Sequence, residues 1–82
     1  MENQVKQTWQ TDDFYLSAFC LASGVKLADL DKSNPRQIFF VFNDFKGREN
    51  LERDFIFGRT TVDPKKYAAA IKELKNLMYS NG

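Results

Sequence analysis

The spacing of apolar and polar positions predicts a strand and a buried helix in the first third of the chain. Residues 5–9 alternate apolar and polar side chains, which is typical of a short edge strand. Residues 14–22 are apolar on almost every side, as expected for a central, buried helix. Thr11 and the two aspartates after it form a helix start, and Gly24 supplies the conformation common just past a helix end. We therefore expect a helix that ends near Ser23.

The middle of the chain has the pattern of a β-hairpin. Two strand-like runs, residues 25–30 and residues 36–42, flank a segment of turn-forming residues at 31–35. Pro35 marks the end of this loop because proline has no backbone N–H to donate to a neighbouring strand.

Two helices are predicted in the last part of the chain. Residues 48–57 have helical composition, with Leu51 and Phe55 on one side, and Gly58 follows them. Asp63 and Pro64 are favourable residues for the first positions of a final helix that runs to about Tyr79. Its apolar positions recur at helical spacing and predict an inward side made of Tyr67, Ala70, Ile71, Leu74, Leu77 and Met78.

These elements predict an α+β fold with two layers and the order (β)-α-β-β-α-α. A small antiparallel hairpin sheet, with a third strand if residues 5–9 join it, packs against helices, and the first and last helices lie on one side of it. Residues 1–10 form a polar N-terminal segment, and residues 11–80 form a single domain. A chain of 82 residues has room for one such domain, and 43% hydrophobic with 28% charged residues is the composition of a folded globule.

The composition offers few residues for catalysis or metal binding. The chain has no histidine, which removes the commonest general base and metal ligand, and its four glycines form no phosphate-binding loop. The carboxylate groups have plainer roles at a helix start (Asp12 and Asp13), beside a turn (Asp29 and Asp31) and in helical ion pairs (Glu49, Glu52 and Asp54). We therefore expect no catalytic, cofactor-binding or metal-binding residues and no small-molecule substrate, and the protein is not expected to be an enzyme.

The location of the protein follows from its cysteine content and its apolar runs. The single cysteine, Cys20, has no partner for an internal disulfide, and it stands among apolar residues. The first residues lack the pattern of a signal peptide, and no apolar run is long enough to cross a membrane. We expect a cytoplasmic protein that does not enter a membrane.

The second hairpin strand is apolar on both sides. Ile38, Phe40 and Phe42 share one side, and Phe39 and Val41 share the other. One side is expected against the helices. The other would stand beside Lys26 and Ala28, or beside Val25 and Leu27, on the neighbouring strand. Phe39, Val41 and Lys26 are therefore candidate partner-binding residues. The N-terminal segment, the middle helix or a second copy of the chain would cover this side, or Phe39 would stack on nucleic-acid bases.

Positive charge provides a second candidate site. The net charge is only +1, but residues 1–24 carry one basic and three acidic residues (−2), whereas residues 58–82 carry five basic and two acidic residues (+3). The cations near the middle helix and at the start of the last one could contact a phosphate backbone. These residues are Lys46, Arg48, Arg59, Lys65 and Lys66.

Four stretches of the chain resemble a small uncharacterised domain of bacterial and phage proteins. They are residues 11–19, 24–27, 38–44 and 62–67, and the resemblance extends from about residue 8 to residue 80. It implies an accessory protein of phage or mobile-element origin that acts by binding, and it assigns a role to no residue. Our leading hypothesis is an adaptor module that binds a protein partner or itself in a nucleic-acid-handling context. The alternative is direct binding of nucleic acid.

Overall fold

The computed structural model describes residues 7–80, which form three strands and three helices. In chain order they are β1 (Thr8–Thr11), α1 (Phe14–Ala22), β2 (Leu27–Asn34), β3 (Gln37–Asn43), α2 (Arg48–Ile56) and α3 (Pro64–Met78). The predicted α+β class and element order are confirmed, including the N-terminal strand. That strand was expected at residues 5–9, of which Val5 and Lys6 lie outside the described residues. The observed strand reaches Thr11, two residues further than predicted.

The three strands form one antiparallel sheet with β3 in the middle. Trp9 of β1 and Leu27 of β2 both pair with Phe42 of β3, and Leu30 of β2 pairs with Phe40. The pairing of β2 with β3 is irregular, with register shifts between Leu27 and Asp29 and between Asp31 and Asn34.

The hairpin loop is shorter than the sequence predicted. Residues 31–34 belong to β2, so only Pro35 and Arg36 connect the strands. The turn-forming side chains hydrogen-bond locally: Asp31 Oδ1 accepts from the Ser33 N–H at 3.0 Å, and Asn34 Oδ1 accepts from the Arg36 N–H at 2.9 Å. Such side chains support an irregular strand end as readily as a loop, because they satisfy backbone donors that a regular ladder would bond.

The helices α1 and α3 each start after an aspartate cap. Asp13 Oδ1 accepts from the backbone N–H of Leu16 at 3.0 Å, and Asp63 Oδ1 accepts from that of Lys65 at 2.9 Å. Thr11, expected to begin α1, instead accepts from the Asp13 N–H at 3.1 Å. The helix therefore starts two residues later than Thr11 would place it, with the stronger acceptor at the cap.

The core lies between the sheet and the helices. Its buried residues come from β1, α1, β3 and α3, and they are Trp9, Leu16, Ala18, Cys20, Phe40, Phe42, Ala70 and Leu74. The expected inward position of Leu77 is wrong, because this side chain is 37% exposed and lines a groove beside Leu27 and Leu30 of β2. Within residues 7–80, no helix is long and apolar enough to cross a membrane.

Candidate functional site

The two sides of the central strand have different surroundings. Phe40 and Phe42 are 1% and 0% exposed in the core. Phe39 and Val41 alternate with them, so they point to the other side of the sheet, where they are half-buried and lie outside the core cluster. α1 and α3 supply buried core residues, and α2 packs Leu51 against the same core. The three helices therefore share one side of the sheet.

We call the other side the open face and define it by Gln10, Asp29, Asp31, Phe39 and Val41. Val41 pairs with Gln10 on β1 and with Asp29 on β2, and Phe39 pairs with Asp31. Directly paired residues of antiparallel strands project from the same side. The open face is thus an apolar pair bordered by two carboxylates.

This arrangement corrects the expected surroundings of Phe39 and Val41. The strand pattern predicted residues 25–28 beside them, but the register shift after Leu27 brings Asp29 opposite Val41. Lys26 is exposed, and its carbonyl oxygen accepts from the N–H of Asn43, two residues along β3 from Val41, at 3.1 Å, so it is not directly opposite Val41. The immediate border of the apolar pair is therefore acidic rather than basic.

Two hydrogen bonds favour the charged form of Asp31, one of the two carboxylates beside Phe39 and Val41. The Asp31 carboxylate accepts from the Ser33 hydroxyl at 2.7 Å and from the Ser33 backbone N–H at 3.0 Å. These two bonds lower the pKa of Asp31 below its ordinary value. The carboxylate is therefore ionised at neutral pH.

The aspartates of β2 also occupy backbone donors of this edge strand. The Leu30 N–H donates to Asp29 Oδ1 at 2.8 Å, and the Ser33 N–H donates to Asp31. A strand added to this edge would need such donors free. The edge of β2 is therefore poorly suited to strand addition at these positions.

Arg48, one of the five candidate phosphate-binding cations, is engaged within the protein. Its Nε lies 3.1 Å from Asp44 Oδ1 and its Nη1 lies 2.8 Å from Glu52 Oε1. The guanidinium group also stands over the Trp9 ring, 5.3 Å from its centroid. Hydrogen bonds from Arg48 and from the Phe45 N–H lower the pKa of Asp44. Arg48 therefore ties the start of α2 to β1.

The other four candidate cations divide into one engaged and three unengaged residues. Arg59 Nε lies 3.6 Å from Asp54 Oδ1, and its guanidinium group stands 5.3 Å from the Phe57 ring centroid. Lys46, Lys65 and Lys66 are exposed, and none of them pairs with a carboxylate within residues 7–80. The structure places Lys46 before α2 and the two other lysines in the first turn of α3.

Two exposed apolar residues were not among the predicted site residues. Ile56 is 70% exposed and Phe57 is 68% exposed, at the end of α2. Consecutive helical positions are about 100° apart, so two apolar neighbours at a helix end cannot both face a core that already receives Leu51 and Phe55. That geometry was the available signal.

Cys20 is the only thiol, and its surroundings suppress reactivity. It is fully buried, and burial raises its pKa to about 12, with a smaller contribution from the Glu52 carboxylate. A protonated, inaccessible thiol is a poor nucleophile and a poor metal ligand. Within residues 7–80 there is no group of three or more cysteine or carboxylate side chains placed to hold a metal ion.

Comparison with known proteins gives a family match that covers most of the chain. Residues 6–80 match the family described as a domain of unknown function (DUF5659). No curated protein and no solved structure matches the chain. The match agrees with the resemblance to a small uncharacterised domain, over nearly the same residues. The chain therefore belongs to the DUF5659 family.

Proposed function

We propose that this protein is an interaction module whose partner packs on the open face of the sheet. The observation that carries the proposal is the position of Phe39 and Val41, two large apolar side chains directed away from the core, on the side of the sheet opposite the three helices. A solvated sheet face needs no aromatic residue there, whereas a protein interface gains affinity from one.

The border of the open face indicates the chemistry of the partner. Asp29 and Asp31 lie beside the apolar pair, and their carboxylates favour a partner that carries arginine or lysine next to apolar side chains. The same charges disfavour nucleic acid at this place, because carboxylates repel phosphates. Stacking of bases on Phe39 is therefore the less favoured use of the open face.

A binding role also suits the residues that could otherwise carry chemistry. The chain has no histidine, and its single thiol is buried and protonated. The carboxylates of Asp44 and Glu52 are held by Arg48. These features support a role in binding. The cytoplasmic location, the phage or mobile-element origin and the nucleic-acid-handling context stay predictions.

Selection from a displayed library of random peptides tests the proposal. The wild type should enrich peptides that combine apolar and basic residues, and Phe39→Asp together with Val41→Asp should weaken their binding at least tenfold, roughly the effect of losing a central apolar anchor. Tyr15→Asp is the matched control, because Tyr15 is 60% exposed on α1. Circular dichroism verifies that each variant is folded. Failure to enrich any peptide, or equal binding by the double variant, would overturn the proposal.

Direct binding of nucleic acid is the second candidate, and the unengaged lysines of α3 favour it. Lys65 and Lys66 have no carboxylate partner within residues 7–80, and Lys72 and Lys75 continue the exposed face seven and ten residues after Lys65. Binding predicts retention of oligonucleotides that falls steeply with salt and is lost on Lys65→Glu with Lys66→Glu. Absence of retention by the wild type at low salt would exclude this candidate.

A further inference from the structure

Ile56 and Phe57 form another exposed apolar feature, and we refer to them as the apolar pair of α2. They are adjacent in sequence and 70% and 68% exposed. Single apolar side chains are common on protein surfaces, but neighbouring large ones with most of their surface in water are typical of binding sites. Neither residue belongs to the open face.

The turn that carries this pair is held by several contacts. Phe55, immediately before it, packs its ring against Phe19 with 5.5 Å between the centroids. After it, Gly58 adopts a left-handed conformation with φ of 70°, and the Arg59 N–H donates to the Asp54 carbonyl oxygen at 2.8 Å. A surface fixed before binding loses little conformational entropy when a partner arrives.

The charges around the pair complement those of the open face. Arg53 and Arg59 flank the pair, and Asp54 is the only acidic residue between them, so this segment carries a net positive charge. The guanidinium group of Arg59 already stands over the Phe57 ring. On the open face, by contrast, an apolar centre lies beside Asp29 and Asp31. The chemistry expected of the partner is thus present elsewhere on the same chain.

We infer that the apolar pair of α2 in one copy packs on the open face of a second copy of this chain. The inference rests on the proposed function, because it names the partner of the open face. It is an intermolecular contact: α2 packs through Leu51 and Phe55 against the core, on the other side of the sheet from Phe39. The pair cannot reach the open face of its own molecule.

This contact joins two different surfaces, which fixes the type of assembly. A contact between unlike surfaces leaves one of each free on every dimer, so further copies add until a ring closes or an open chain grows. Two side chains are a small anchor, and we expect weak association at high protein concentration. Masses beyond a dimer are the expected sign of this geometry.

Sedimentation equilibrium of the wild type and of two single-surface variants tests the inference. The wild-type mass should rise with concentration past twice the 9.5 kDa of one chain. Phe39→Asp, which disrupts the open face, should remain monomeric. Phe57→Ser, which disrupts the apolar pair of α2, should also remain monomeric. An equimolar mixture of the two should form a complex of two chains, because each variant keeps the surface that the other has lost. Tyr79→Ser, at a residue 77% exposed on the far end of the chain, is the matched control and should associate as the wild type does.

Charge reversal gives a second test that does not depend on apolar substitutions. Asp31→Arg and Arg59→Asp should each abolish self-association, and mixing the two should restore association past two chains, because both contacts between unlike variants then join opposite charges. Both residues are at the surface, so the variants are expected to fold. Failure of both mixtures to form a complex would overturn the inference.

Other outcomes separate this inference from the proposed function. If Phe57→Ser still associates and Phe39→Asp does not, the open face pairs with itself, and only the inference is overturned. If Phe39→Asp associates and Phe57→Ser does not, the apolar pair binds its own copy, which also overturns the inference. A wild type that remains at 9.5 kDa at every concentration overturns self-association, and the peptide selection then decides the proposed function independently.

Discussion

The two sides of β3 belong to one strand but to two different environments. On the core side, the Phe42 ring stacks on Trp9 with 5.3 Å between centroids, and the Phe40 ring meets Phe14 edge to face at 6.2 Å. On the open face, Phe39 and Val41 have polar strand neighbours. Adjacent phenylalanines therefore have different roles, one in packing and the other at the surface.

The difference shows that apolarity alone does not place a strand residue in the core. Phe40 pairs with Leu30, whereas Phe39 pairs with Asp31, and only the first pair lies where helices pack. A side chain stabilises the fold in proportion to the apolar area that its neighbours remove from water. Because its neighbours remove less apolar area from water, Phe39 is expected to contribute less to stability than its residue type suggests.

Truncation of the two adjacent phenylalanines should give the largest contrast. Phe40→Ala removes a side chain that is 1% exposed, and we expect it to lower the free energy of unfolding by about 3–5 kcal/mol. Phe39→Ala should lower it by about 1 kcal/mol, the range of effects at a half-exposed strand position. Urea unfolding followed by circular dichroism measures both.

If Phe40→Ala does not fold, Phe40→Leu provides a milder change at the same position. It should still destabilise the protein more than Phe39→Leu does. Equal losses for the two leucine variants would mean that the open face is packed as tightly as the core, and the contrast between the two sides of β3 would be withdrawn.

The sequence predicted much of the core side because local signals agreed there. Asp63 with Pro64 marked the start of α3, Gly24 marked the end of α1, and the apolar spacing of residues 14–22 identified the buried helix. Each of these signals depends on residues within a few positions of one another. They can therefore be recognised without knowledge of the tertiary structure.

The open face was predictable in part. Strand alternation separated Phe39 and Val41 from Phe40 and Phe42, but the identity of their neighbours depended on the register shift after Leu27. A shift of one residue exchanges the two sides of a strand, and no local pattern reveals it. The exposure of Phe57, by contrast, follows from helical spacing, because Leu51 and Phe55 already supply the inward side of α2.

The burial of Cys20 on the core side predicts that its contribution to stability depends on pH. Burial raises the pKa of this thiol from about 9.0 to about 12, so above pH 9 the unfolded chain releases a proton that the folded protein retains. The contribution of Cys20 to stability is therefore complete below pH 9 and declines as pH rises toward 12, by at most about 1.4 kcal/mol per pH unit. We expect the stability advantage of the wild type over Cys20→Ala to shrink between about pH 8 and pH 10.

The comparison with Cys20→Ala isolates this thiol from other groups. The pKa of Tyr67 is also raised, by burial and by nearby Tyr15 and Asp13, but it contributes equally to both proteins. Urea unfolding in the presence of a reductant, at about pH 8 and about pH 10, gives the difference in free energy of unfolding between the wild type and Cys20→Ala at each pH. A constant difference would show that the thiol titrates normally in the folded protein, and that water reaches the core side of the sheet at α1.

Arg48 lies where the core side of the sheet meets solvent. Its substitution is expected to change the free energy of unfolding least among these predictions. Arg48→Gln removes the ion pairs to Asp44 and Glu52 and the contact with the Trp9 ring, and we expect a loss of about 1 kcal/mol at neutral pH. Since Arg48 lowers the pKa of Asp44, this stabilisation is present above the ordinary value near 3.8 and is lost as pH falls through the lower folded value. The difference between wild type and Arg48→Gln should therefore narrow below about pH 4, measured by urea unfolding across that range.

Lysine at the same position separates charge from geometry. Arg48→Lys keeps the positive charge but loses the planar group that reaches both carboxylates while it stands over Trp9. If the lysine variant is as stable as the wild type, a single charge near Asp44 is sufficient, and the bridge between α2 and β1 is unimportant. If the lysine variant is as unstable as Arg48→Gln, the planar guanidinium group is what joins α2 to β1. Arg48 is then part of the packing on the core side of the sheet. The open face has no equivalent residue among its five members, and Phe39 and Val41 are only half-buried there.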